Sequence, residues 1–154
     1  VFKTQKFKSD FFGRVRELIK GRKEIRIVGD RFVFQSEVLF GRGSDQLGRP
    51  GKIQIKQLSK TLKGIMTKIP PQIDWVLRVD GHTDQIPIKT SRFPSNWELS
   101  HARALEVVKF FIQQGIPANK LSANGYGEFQ PINLGDSIED LKQNRRIELK
   151  ITQK

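Results

Sequence analysis

The chain has no cysteine among its 154 residues. Disulfide scaffolds, Cys-ligated zinc and thiol nucleophiles are therefore excluded, and an oxidising compartment is tolerated. No apolar run approaches the ~18–20 residues that cross a bilayer, and no secretory signal pattern is visible. The chain opens on Val1 rather than Met, and a fragment following a removed membrane segment is expected. Histidine is scarce: His82 and His101 are the only two, so any His-dependent hydrolase or metal site must use them. No Gly-x-Ser-x-Gly turn supplies a nucleophile, and neither strong helical His-ligand pattern occurs. Gly41-Arg42-Gly43-Ser44 lacks the Gly-Lys-Ser/Thr ending of a phosphate loop. Neither enzyme activity, cofactor nor metal is expected.

Positive charge is in excess, with 28 Lys/Arg against 16 Asp/Glu and a net +12. Such a charge first suggests nucleic acid, but its distribution argues against that partner. Residues 1–31 carry a net +6 and residues 142–154 a net +4, which leaves +2 for the 110 residues between them. Basic ends of this kind keep a chain soluble, or lean on an acidic polymer or membrane surface, more readily than they read bases.

Phe11, Val15, Leu18 and Ile19 fall at helical spacing before Gly21. Residues 1–23 are therefore expected to form a basic N-terminal arm or helix, and residues 24–154 the domain proper. Glu24–Val28 and Arg31–Gln35 alternate around Gly29-Asp30, a hairpin signal. Ile53, Leu58, Leu62, Ile65, Met66 and Ile69 predict a helix stopped by Pro70-Pro71. Asp74–Val79 is rich in β-formers. Ser95 and Glu98 form a capping box for a helix reaching Gln114, with Leu105, Val108, Phe111 and Ile112 as its core stripe. Leu121–Tyr126, Ile138–Leu141 and Arg146–Thr152 read as strand, short helix and half-buried strand. The fold class is α+β: a mixed sheet with βαβ crossovers and helices packed on one face.

Asp84 lies just past a strand end, and Asn96, Ser100 and Arg103 share one stripe of the next helix. A carboxylate can take an ammonium and a guanidinium can grip a carboxylate, so the pair suits a zwitterionic amino-acid head group. A structural Asp–Arg ion pair, or an Asp84 that merely orders its loop, meets the same spacing. Neither Asp84 nor Arg103 is expected to be needed for packing.

Four blocks together resemble the peptidoglycan-binding domain of the OmpA-like family: Gly81-His82-Thr83-Asp84; Asn96-Trp97-Glu98-Leu99-Ser100-x-Ala102-Arg103-Ala104; Gly125-Tyr126-Gly127-Glu128-x-x-Pro131; and Asn144-Arg145-Arg146-Ile147-Glu148. Val38-Leu39-Phe40-x-x-Gly43-Ser44 is similar to that family's first strand and the loop after it. The long loop before Ser-Asn-Trp-Glu-Leu-Ser is most similar to the MotB branch, the periplasmic domain of the flagellar stator. Gly-Tyr-Gly-Glu is closer to the outer-membrane and lipoprotein branches. The resemblance implies a βαβαβ-type sandwich that binds the meso-diaminopimelate of peptidoglycan without catalysis. It implies Asp84 and Arg103 gripping the ammonium and carboxylate, Thr83 and Asn96 at the wall, and Arg145 supporting the peptide carboxylates. It further implies a homodimer in the periplasm of a Gram-negative bacterium, anchored to the inner membrane, and serving as a stator or as a general wall tether. Nucleic acid is not an implied partner.

Overall fold

The computed structural model describes residues 2–18, 25–41, 43–71 and 73–153. Ile19, Gly21 and Glu24 of the expected elements, and the side chain of Leu18, lie outside the described part. A five-stranded sheet carries the domain, in the order β1-β2-β5-β3-β4. β1 (Ile25–Val28) and β2 (Arg31–Gln35) form a two-residue hairpin. Gly29 takes φ +61° and Asp30 a negative φ, the signs of a type II′ turn, whose twist suits paired strands. β3 (Trp75–His82) runs parallel to β4 (Leu121–Gly125), and β5 (Arg146–Gln153) fills the gap between β2 and β3, antiparallel to both. Among the described residues one helical crossover, from β3 to β4, therefore joins neighbouring parallel strands; β2 and β3 are also parallel but are separated by β5.

Three long helices accompany the sheet: α1 (Phe2–Leu18), α3 (Arg49–Met66) and α4 (Asn96–Gln113). Successive strand residues point to opposite faces. On the helix side Phe32, Phe34, Leu77, Val79, Ile147, Leu149 and Ile151 are buried with Phe11, Val15, Ile55, Leu58, Leu62, Val107 and Phe111 of the helices in one core. Phe11 stacks edge-on against Phe32 with ring centroids 5.4 Å apart, which ties α1 to the sheet. α4 lies close on β3 and β4 because those strands present glycine. A Cβ at Gly81 would stand 2.2 Å from the Ser100 carbonyl, and one at Gly125 2.6 Å from the His101 amide nitrogen.

The expected phase of two helices is corrected. Leu105 and Ile112 are 38% and 42% exposed, and the buried line of α4 runs through Leu99, Arg103, Ala104, Val107, Val108 and Phe111. Ile53 is likewise exposed, with Ile55 buried in its place. α3 starts earlier than expected, with Gly48 as its N-cap and Pro50 in its first turn, where proline's missing N–H costs nothing. Val38-Leu39-Phe40 is not a strand: Ser36–Leu39 is a helical turn, α2, and Phe40 makes a lone bridge to Leu47. A three-residue apolar run cannot distinguish these outcomes, and here the Gln35 side chain caps the turn by accepting the Glu37 amide hydrogen. β5 is not half-buried at its start. Arg146 and Glu148 point away from the helices, yet are 4% and 5% exposed, because Arg146 reaches the Gln130 carbonyl at 2.7 Å and binds Glu148 at 2.6 Å. No helix among the described residues is long and apolar enough to cross a membrane.

Candidate functional site

The C-terminal end of β3 delivers Thr83 and Asp84 into a crevice between the start of α4, the turn α2 and the residue ahead of β5. Gly127 fixes the exit of β3, its carbonyl accepting the Thr83 amide hydrogen at 2.9 Å. Asp84 is 7% exposed. Its Oδ1 accepts the Ile86 amide hydrogen at 3.0 Å, a local turn that aims the carboxylate, and its Oδ2 accepts from an Arg145 Nη at 2.7 Å. Arg145, at the end of α5 (Ile138–Asn144), also donates from Nε to Glu37 Oε1 at 2.7 Å. Burial opposes the Arg145 charge, but the hydrogen bonds it donates to Asp84 and Glu37 outweigh that and raise its pKa.

Arg103 comes from the second turn of α4 and is 3% exposed. Its Nε donates to the Ser44 carbonyl at 2.8 Å and an Nη to the Gly41 carbonyl at 3.3 Å, and the guanidinium stands 5.3 Å over the Phe40 ring. Among the described residues no carboxylate lies within ion-pair distance of it. Burial accordingly lowers its pKa, although Glu37, Asp45 and Asp84 pull the other way. Asn96 is held by its amide, which donates to the carbonyls of Asp84 and Ile86 and to Glu128 Oε1 at 3.4, 3.1 and 3.2 Å. Thr83 donates its hydroxyl to the Asp84 carbonyl at 2.9 Å.

All five expected residues, Thr83, Asp84, Asn96, Arg103 and Arg145, line one cavity of about 160 Å³, with Glu37, Gly43, Ile86 and Leu99 among its other walls. Three details differ from the reading of the sequence. Asp84 pairs with Arg145 and not with Arg103, so an Asp84–Arg103 ion pair is excluded. Arg103 is part of the packing, since it pins the carbonyls of Gly41 and Ser44. Ser100 does not line the cavity; its hydroxyl accepts the Gly127 amide hydrogen at 3.0 Å. Glu37 went unrecognised, because its role is set by Arg145, which is 108 positions away. Its only local signal is an acid two residues after a strand.

His82 takes no part in the cavity. It points to the opposite sheet face, stacked on Tyr126 at 5.0 Å, with neither ring nitrogen hydrogen-bonded. Burial, assisted by Arg146, pushes its pKa down to about 4. Larger hollows of about 440 and 570 Å³ lie on that same face, beside Arg26 and Arg146, and hold none of the five residues. Among the described residues no three His, Asp or Glu side chains gather as metal ligands would. The cavity itself offers two carboxylates and two guanidinium groups at fixed positions, a set that can grip small charged head groups.

The sequence description of the OmpA family matches residues 39–145. Motility protein B of Helicobacter pylori is 35% identical over 115 residues, which is 74% of this chain but 42% of that protein, so the chain spans less than half of that relative's length. The periplasmic domain of Helicobacter pylori MotB superposes with a TM-score of 0.70 at 30% identity, covering 84% of this chain and 80% of that one. A protein described as MotB-like from Desulfovibrio vulgaris gives 0.77 at 25% identity, over 98% and 96% of the two chains. The cell wall anchor of the T6SS from Pseudomonas aeruginosa gives 0.75 at 25% identity, over 92% and 95%. With its matched region running from the α2 turn to the cavity's Arg145, the chain belongs to the OmpA family.

Proposed function

We propose that this chain is a non-catalytic anchor that binds peptidoglycan through the meso-diaminopimelate of its stem peptide. One observation carries the reading: a buried guanidinium, Arg103, faces a shared cavity with Asp84 and has carbonyls but no carboxylate as partners among the described residues. The second amino-acid head of diaminopimelate supplies that carboxylate, and its ammonium finds Asp84. Arg145 stays charged through Glu37 while Asp84 is shared with the ligand. Thr83 and Asn96 hold the backbone of residues 84–86 and so shape the wall. A lysine-type stem lacks the carboxylate and leaves Arg103 without its partner. It is expected to bind at least tenfold more weakly, since one lost charged contact costs about 1.4 kcal/mol or more.

The names of the relatives support the wider role: a motility protein on one side and a cell wall anchor on the other. In this reading the domain works in the periplasm of a Gram-negative bacterium, as a homodimer. Residues 1–23 lead from an inner-membrane segment to the wall-bound domain. The assembly anchored is a MotB-like stator. A general wall tether without a motor role is the second reading, favoured by the likeness to the T6SS anchor. Calorimetry with diaminopimelate-type and lysine-type muropeptides tests the ligand, and equal affinities would overturn it. Loss of swimming, with an intact envelope, on deletion of the gene would select the stator.

A further inference from the structure

Two aromatic side chains depart from the burial of the others around the core. Trp97 and Phe129 are 50% and 58% exposed, yet stacked on each other with centroids 5.0 Å apart and planes 28° apart. Leaving large aromatic faces in water forgoes the burial they could provide, and pairing recovers only part of it. Their position is fixed. Trp97 sits in the first turn of α4, where the Ser95 hydroxyl caps the helix by accepting its amide hydrogen at 3.2 Å. Gly127, at φ +62°, lies against both rings; a Cβ there would be 3.4 Å from Phe129 and 3.5 Å from Trp97. The two elements that carry the stack are joined beside the cavity, although neither ring lines it. Asn96, the residue before Trp97, lines the cavity and donates to Glu128, the residue before Phe129, at 3.2 Å.

We propose that the Trp97–Phe129 pair is a sugar platform. It takes the C–H face of an N-acetylated amino sugar in the glycan strand whose stem peptide enters the cavity. The inference rests on the peptidoglycan reading and extends it from the peptide to the glycan. A pyranose ring carries C–H groups on its face and hydroxyls at its rim. An exposed aromatic face desolvates the former while the latter stay in water. The reach is compatible, because three extended residues span about 10 Å, so a sugar whose three-residue stem enters the cavity stays on the surface near it.

The test uses the whole chain with three probes: chitotetraose, which has glycan and no peptide; a diaminopimelate-containing tripeptide, which has peptide and no glycan; and the disaccharide tripeptide that joins them. Trp97 shares the sequence with one other tryptophan, Trp75, which is 2% exposed. Chitotetraose should shift the indole N–H resonance of Trp97 and leave that of Trp75 in place. The joined ligand should bind wild type about tenfold more tightly than the tripeptide. That advantage should vanish in Trp97→Ala and in Phe129→Ala, with tripeptide affinity retained. Asp84→Asn should lose the tripeptide and keep the chitotetraose shift. A tripeptide that fails to bind wild type, beside an intact chitotetraose shift, would defeat the cavity reading and leave the platform standing. Unmoved Trp97 at millimolar chitotetraose, equal affinities of the joined ligand and tripeptide, or equal weakening of both in Trp97→Ala would overturn the platform. So would Trp97→Ala dissociating a dimer without touching ligand affinity, which would assign the stack to a second copy of the chain.

Discussion

Arg103→Ala should damage the fold as well as the binding site. The guanidinium makes a 2.8 Å bond to the Ser44 carbonyl, a longer one of 3.3 Å to the Gly41 carbonyl, and a contact over Phe40. Hydrogen bonds involving a charged group contribute about 1.5–3 kcal/mol each, the longer one less. The cation–π contact adds about 0.5–2 kcal/mol. Opposing these is the desolvation of a cation that is 3% exposed, the same effect that lowers its pKa. The net loss on truncation is about 2–4 kcal/mol, because two carbonyls are also left without their donor. For a chain of this length about 1 kcal/mol moves the melting temperature by roughly 2–4 °C, so a fall of roughly 5–15 °C is expected. Asp84→Asn is the contrast. The amide oxygen can still accept the Ile86 amide hydrogen, and Arg145 keeps Glu37, so the cost is about 1 kcal/mol. Both variants should fail to pellet with purified sacculi, but only Arg103→Ala should melt markedly early. Arg103→Ala melting within about 2 °C of wild type would refute the argument that its carbonyl bonds hold the loop.

Acid sensitivity should trace in part to His82. Its folded pKa is about 4 against the ordinary 6.5, so the unfolded chain takes up the proton first; stability present above pH ~6.5 is lost as the pH falls toward 4, by about 3 kcal/mol. His82→Phe, which can keep the stack on Tyr126, should flatten that window in denaturant titrations, and parallel curves for the two proteins would sink the assignment. Gly125→Ala should lower the melting temperature by roughly 4–10 °C, since the new methyl meets the α4 backbone at 2.6 Å; an unchanged melt would mean that α4 shifts at no cost. Sacculi incubated with the chain should release no soluble muropeptides, and a release that disappears in a His82 variant would defeat the non-catalytic reading.

The elements that could be read from the sequence are those whose pattern repeats over many residues. α3, α4 and β5 each repeat a helical or two-residue period over several turns or pairs, so their type was legible. The phase of α4 was not. Hydrophobicity alone selects Leu105 and Ile112, whereas the sheet selects the side whose backbone, at Ser100 and His101, can approach Gly81 and Gly125. Burial of Arg146 and Glu148 was equally hidden, because it depends on the Gln130 carbonyl sixteen positions earlier and on Arg31 across the sheet. The site was legible where residue types recur in a family block, and illegible at Glu37, whose partner is fixed only by the antiparallel pairing of β2 with β5.

Glu37 changes how the proposed ligand would be received. With Glu37 included, the cavity walls carry two carboxylates, Glu37 and Asp84, and two guanidinium groups, Arg103 and Arg145. Three of the four are already joined in a chain from Glu37 through Arg145 to Asp84, at 2.7 Å for each link. Arg103 is the member outside that chain, and it is also the most buried of the four. An anion alone would satisfy Arg103 but bring an uncompensated negative charge beside Asp84 and Glu37. A cation alone would satisfy Asp84 and stand beside two guanidinium groups. A group carrying both charges avoids each penalty, because the walls sum to zero and so does the ligand head. On the proposed reading, Glu37 therefore acts as the counter-charge that lets Arg145 stay in place while Asp84 turns one of its lone pairs to an incoming ammonium.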